Sequence, residues 1–117
     1  MIRNKNENGS VNVSTSVYID IAGTAAINCL SVKGMVARSV KDGLYHLLRK
    51  ESMGKGVRVT FHDDETISID LHIMVDNGVN LNAVGEAIIS EVSYVVTKCT
   101  GTKVRGVNVY IDSVMAD

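Results

Sequence analysis

Between Val57 and Asp76 the chain alternates apolar and polar residues with a strict period of two. Val57, Val59 and Phe61 alternate with Arg58, Thr60 and His62. After Asp63-Asp64-Glu65, the residues Ile67, Ile69, Leu71, Ile73 and Val75 alternate with Ser68, Asp70, His72, Met74 and Asp76. Successive side chains of a strand point to opposite faces, so the pattern predicts a hairpin of two half-buried strands with one oily face. Opposing Phe61 to Ile67 sets the register. His62 then falls opposite Thr66, Arg58 opposite Asp70 and His72 opposite Gly56, with a three-residue loop between the strands. The rest of the chain must cover the oily face.

Two helical patterns can do so. Ser14 is a predicted N-cap, and Val17 to Leu30 follows as a helix with two neighbouring stripes. One runs Val17, Ile21, Ala25, Asn28; the other runs Tyr18, Ala22, Ala25, Cys29. The small residues Ala22, Gly23, Ala25 and Ala26 leave a surface that another element can approach closely; Gly23 costs about 1 kcal/mol of helix propensity, which close packing explains. The second and longest helix is expected over Leu81 to Thr100, capped by Asn80 and stopped by Gly101. Its stripe is Leu81, Val84, Ile88, Val92, Val95 and Cys99, widened by Ile89 and Val96. Between them, Lys33 to Ala37 reads as a short strand or an extended crossing. Ser39 to Lys50 reads as an inserted short helix with Val40, Leu44, Leu47 and Leu48 inward. Ser10 to Val13 and Lys103 to Asp112 read as the first and last strands, with Val11 and Val13 inward in one and Val107, Val109 and Ile111 inward in the other. Val104 is out of phase, which predicts a bulge near Gly106. The expected architecture is an α+β fold: an antiparallel sheet with two long helices packed on one face, split β-α-β-like, in a single domain over 10–117 behind a disordered tail over 1–9.

A length of 117 residues suffices for one real core. Cys29 and Cys99 are widely separated, lack a CxxC partner and read as buried, reduced thiols on helices, as in the cytosol. No stretch approaches the ~18 apolar residues of a membrane span, and the polar start from Met1 to Ser10 is neither signal peptide nor anchor.

Catalytic and ligand motifs are missing. His62, Asp63, Asp64 and Glu65 crowd a short hairpin tip, where consecutive acids diverge and lack the spacing of a calcium loop. His62 and His72 are too far apart in the register to share a metal, and His46 has no partner at i+4. There is no GxSxG, no Walker A sequence and no GxGxxG. The expected open face of the sheet carries one strong stacking residue, Tyr110, beside Asp70 and Asp112, and the pI is near 6.3. Both features disfavour nucleic acid. The expectation is therefore no catalytic residue, no cofactor and no metal.

Charge is unevenly spread within a net −1. Lys33 to Arg58 holds seven basic and two acidic residues, a balance of +5, and Val59 to Asp117 holds three basic and nine acidic, a balance of −6. The plain reading is two solvated faces; the sharper one is a basic and an acidic pole, suited to an anionic partner or head-to-tail association. The candidate partner-binding residues are accordingly Lys33, Arg38, Lys41, Arg49, Lys50 and Lys55.

The segments Gly9-Ser-Val-Asn-Val-Ser, Ile21-Ala-Gly, Val32-Lys-Gly-Met-Val, Lys41-Asp-Gly-Leu, Leu48-Arg-Lys-Glu, Gly56-Val-Arg-Val, Ile69-Asp-Leu-His-Ile-Met-Val with Gly78-Val-Asn, Thr100-Gly and Val107-Asn-Val-Tyr-Ile, in that order, resemble the alkaline shock protein / Gls family of envelope stress response proteins in Gram-positive bacteria, and within it the YloU-like members. Val17 departs from the acidic residue with which many relatives begin that turn. The resemblance implies a non-enzymatic cytoplasmic protein that acts as a protein–protein interaction or scaffold module in cell-envelope homeostasis. It implies protein partners, among them a membrane anchor protein that would hold it at the inner face of the membrane, and homo-oligomers. It also leaves one alternative, an accessory of lipid or fatty-acid metabolism, and the split β-α-β shape leaves another, a nucleic-acid-binding module on a similar fold. It supplies no catalytic or binding residue.

Overall fold

The computed structural model describes the backbone of residues 2–6, 8–29, 32–38, 45–47 and 56–114, and the side chains of 8–29, 32 and 56–114. In chain order the elements are β1 (Ile2–Asn6), β2 (Gly9–Val13), α1 (Thr15–Ile27), β3 (Val32–Arg38), β4 (Tyr45–Leu47), β5 (Val57–Phe61), β6 (Ile67–Val75), α2 (Leu81–Thr100) and β7 (Val104–Val114). The fold is α+β, with both helices on one face of the sheet.

The long apolar alternation forms the central strand. Ile67, Ile69, Leu71, Ile73 and Val75 of β6 are all fully buried, and the residues between them are half-buried. Both edges of β6 are paired. β7 runs along one edge from end to end. The other edge is shared by β5, at Ile67 to Leu71, and β3, at Ile73 to Val75. The hairpin register is the expected one: Phe61 lies opposite Ile67, Arg58 opposite Asp70, and the His72 amide donates to the Gly56 carbonyl at 2.9 Å.

Four expectations need correction. First, the sheet is mixed, because β7 is parallel to β6. Twenty helical residues span about 30 Å, which carries the chain back to the start of β6, and a strand entered there must run the same way. Because β6 and β7 are direct neighbours, this half is an unsplit β-α-β unit. Second, the inserted helix over Ser39 to Lys50 does not form at Tyr45–Leu47, which pair with Val36 to Arg38 of β3 as strand β4; the remainder, 39–44 and 48–50, lies outside the described residues. Short apolar runs fit strand and helix equally, and the free end of β3 decides for strand. Third, the first residues form β1, which pairs with β2 in place of a frayed tail. Val11 is consequently 60% exposed, and only Val13 of the expected pair reaches the core. Fourth, Cys99 is exposed. The core takes Ile88, Val92 and Val96 of α2, and this centres the buried stripe one position away from the Val95–Cys99 line.

Local chemistry sets the boundaries. The Asn80 side chain accepts from the Ala83 amide at 3.0 Å, and Gly101, at φ 74°, closes the helix in the left-handed region. The expected bulge in β7 falls at Arg105, between the pairs Ile67–Val104 and Ser68–Gly106. In the hairpin loop Glu65 takes φ 64°, a conformation that L residues adopt at a cost. The Thr66 hydroxyl and then its amide donate to the Asp64 carboxylate at 2.6 and 3.2 Å and hold that carboxyl below its usual range. This contribution is present above the ordinary carboxylate pKa and fades as pH falls through the lowered one.

α1 lies over β5 and β3, α2 lies over β7, and the two helices meet above β6. Their junction is fixed by Tyr18, which is fully buried, meets Phe61 edge-on at 5.8 Å and shares a 2.6 Å hydrogen bond with the buried Thr102 hydroxyl. Tyr18→Phe strands the Thr102 hydroxyl and is expected to lower unfolding free energy by about 1–3 kcal/mol in urea titrations. Adding Thr102→Val should cost less than the sum of the single changes, as a double-mutant cycle will read. Glu65→Gly removes the left-handed strain and is expected to raise stability by up to about 1 kcal/mol in the same assay.

Candidate functional site

The helices leave one face of the sheet bare, and its polar side chains pair across the strands. The His62 Nε2 is 2.7 Å from the Ser68 hydroxyl, and the Asn108 amide donates to the Asp70 carboxylate at 2.8 Å. The His72 Nδ1 lies 2.7 Å from the Asp112 carboxylate, and the His72 ring stacks on Tyr110 with centroids 4.7 Å apart and planes 12° from parallel. Register explains each contact. The parallel pairing sets Asp70 beside Asn108 and His72 beside Tyr110, and Asp112 is the extra residue of a second bulge, between the pairs Ile73–Ile111 and Met74–Ser113. The bulge turns the Asp112 carboxylate toward a histidine forty positions earlier, a use to which bulges are suited. A carboxylate can only accept, so the neutral His72 ring carries its proton on Nδ1. The sequence placed His72, Tyr110 and Asp112 on the same face; the contact between them depends on a bulge that no periodicity reveals.

The arrangement is a flat polar layer. The His72 and Asp112 side chains are 40% and 17% exposed. Among the described residues no group of three His, Cys, Asp or Glu could hold a metal ion, and every buried side-chain nitrogen or oxygen has a partner. The acids at the hairpin tip, Asp63 to Glu65, are exposed, and His62 turns back toward Ser68. Burial, with the Glu91 charge second, pushes the Cys29 thiol up, and the thiol donates weakly to the Ala25 carbonyl at 3.5 Å. A thiol so held is a poor nucleophile.

Among the described residues, grooves open elsewhere. One, of about 380 Å³, runs between the helices, with Ile21, Ala25 and Val95 as its apolar floor and Asp20 and Glu91 on its rim. Another, of about 260 Å³, lies between α2 and β7 and is lined by Leu81, Gly85, Ile89, Val109 and Ile111 among others. Of the six basic residues singled out by charge, Lys33 and Arg38 lie on β3. Lys41, Arg49, Lys50 and Lys55 fall outside the described residues. Among the described residues no helix is long and apolar enough to cross a membrane.

A family model for the alkaline shock protein 23 family, described by a cell envelope-related function, matches residues 3–116. The chain belongs to that family. It is similar to the uncharacterized protein YloU of Bacillus subtilis, with 36% identity over 107 residues, 91% of this chain and 88% of the relative. It is also similar to the uncharacterized protein Spy1614 of Streptococcus pyogenes serotype M6, with 31% identity over 109 residues, 92% of this chain and 89% of the relative. No solved structure matches it. For this member of the alkaline shock protein family, nitrogen-15 NMR of the His72 ring at neutral pH is expected to show the Nδ1–H tautomer dominant. Asp112→Asn should shift the population toward Nε2–H, and an unchanged tautomer would break the assigned pairing.

Proposed function

We propose that this chain is a non-enzymatic interaction module of the cell envelope, which works by holding partner proteins together at the inner face of the membrane. The observation that carries the reading is the kind of surface left open. Large apolar side chains are exposed on helices and the outer strand, among them Val17, Ile89, Tyr94 and Val114, and the grooves beside them are shallow and apolar. Exposed apolar surface bounded by charge is what protein contacts use. An enzyme of this size would instead gather polar groups into a cleft, whereas the polar groups of the open face are spent on one another. Nucleic acid is a poor fit for that face, because Tyr110 already has His72 against its ring and Asp70 and Asp112 flank it with negative charge.

The basic run from Lys33 to Lys55 supplies a salt-sensitive attraction to acidic partners or an anionic membrane surface. The test is cross-linking and capture of the tagged protein from its own host, with membrane and soluble fractions kept apart. A small set of partners recovered in constant ratio is expected, and Lys41→Glu with Arg49→Glu and Lys50→Glu should reduce the yield at low salt with an unchanged circular dichroism spectrum. Equal yield from the folded triple variant would remove the basic run from the reading. Failure to recover any partner, or a substrate turnover lost in His72→Gln, would overturn the reading itself.

A further inference from the structure

α1 carries two apolar stripes, and the core buries one more fully than the other. Tyr18, Ala22, Ala25 and Ala26 are buried, whereas Val17 is 42% exposed, Ile21 is half-covered and Asn28 is exposed. The half-covered stripe meets the Val95–Cys99 line of α2, where Val95 packs only in part against the core and Cys99 is exposed, and the open groove of about 380 Å³ lies between them. The small Ala25 side chain and the short Thr24 side chain on the α1 wall are why space remains there.

The helices run antiparallel along this groove. Tyr18, near the start of α1, bonds Thr102, just past the end of α2, and Glu91 acts electrostatically on Cys29, just past the end of α1. Asp20 therefore marks one end of the groove, on the α1 wall, and Glu91 the other, on the α2 wall. From Asp20 to Asn28, or from Glu91 to Cys99, is eight residues, so the two carboxylates lie about 12 Å apart along the axis. Both are exposed. The nearby cation on α2, Lys98, is drawn aside over the Tyr94 ring at 5.6 Å from its centroid.

We propose that this groove binds an amphipathic helix of a partner protein, one that carries two Lys or Arg residues seven or eight positions apart with apolar residues at the intervening i+3 and i+4 positions. Seven or eight helical residues span about 10.5–12 Å, which matches the carboxylate spacing. The intervening apolar side chains then fall on Ile21, Ala25 and Val95. Complementary charge at the two ends fixes orientation and partner choice, and the apolar floor supplies the contact area. The inference rests on the interaction-module reading and names the surface and the partner's chemistry.

The probe is a fluorescein-labelled 18-residue designed helix with Lys at two positions seven apart and Leu and Ala between them, measured by anisotropy against the full chain. Binding that weakens at least tenfold in Asp20→Lys with Glu91→Lys, and that a Glu-for-Lys version of the peptide recovers on the reversed variant only, is expected. Bound peptide should also slow alkylation of the exposed Cys99, which lines the groove. Unchanged affinity in the reversed variant, with its circular dichroism spectrum intact, would overturn the proposal. So would sedimentation showing that the wild-type chain self-associates and that the reversal alone makes it monomeric, because the groove would then hold a second copy. Host partners captured equally by wild type and reversed variant would also reject the groove while leaving the module reading standing; absence of any captured partner with the wild type would reject that reading first.

Discussion

Everything in this fold hangs on β6. Its five inward side chains are fully buried, and both of its backbone edges are occupied, one by β7 and the other by β5 and β3 in succession. A strand with no free backbone groups and one dry face must sit at the centre of the molecule, since unpaired amides and carbonyls there would cost more than a hydrogen bond returns. The two helices are the cover that this face demands, and their positions follow from which neighbours of β6 they bridge. α2 connects β6 to β7 and lies over β7; α1 covers the edge where β5 and β3 meet. Tyr18 then ties the two helices together at one end through Phe61 and Thr102.

A sheet covered on one side leaves two kinds of surface for function. The bare face carries a layer of polar pairs whose hydrogen bonds are made within the layer, with Asp70 and Asp112 on either side of Tyr110. The helical side has apolar surface left over. Fourteen buried hydrophobic residues make up the described core. α1 and α2 contribute only part of their apolar residues to it, because a helix resting on a sheet buries one stripe and turns its neighbours sideways. The stripes turned sideways face each other across the interhelical groove. The chain that carries this surface belongs to a family with a cell envelope-related function.

Several features were legible because they depend on neighbours in sequence. The caps Asn80 and Gly101, the bulge beside Gly106 and the register of the 57–76 hairpin each follow from a few adjacent residues. The misreadings have a common cause. Tyr45–Leu47 fits a helical stripe until β3 offers an unpaired edge, Val11 fits an inward position until β1 takes β2 as its partner, and Cys99 fits the α2 stripe until packing centres the helix on Ile88, Val92 and Val96. In each case local periodicity allowed two answers, and a contact distant in sequence chose between them.

By itself, then, the sequence determined the α+β class, the central hairpin, both long helices and the uneven distribution of charge, because period, capping and composition are local properties. The tertiary structure alone decided that β7 runs parallel to β6, that Asp112 reaches His72 through a bulge, and that the two half-covered helical stripes face each other with Asp20 and Glu91 at opposite ends. Those facts concern which surfaces meet and which stay open, and that is settled only when all the elements compete for the same buried face.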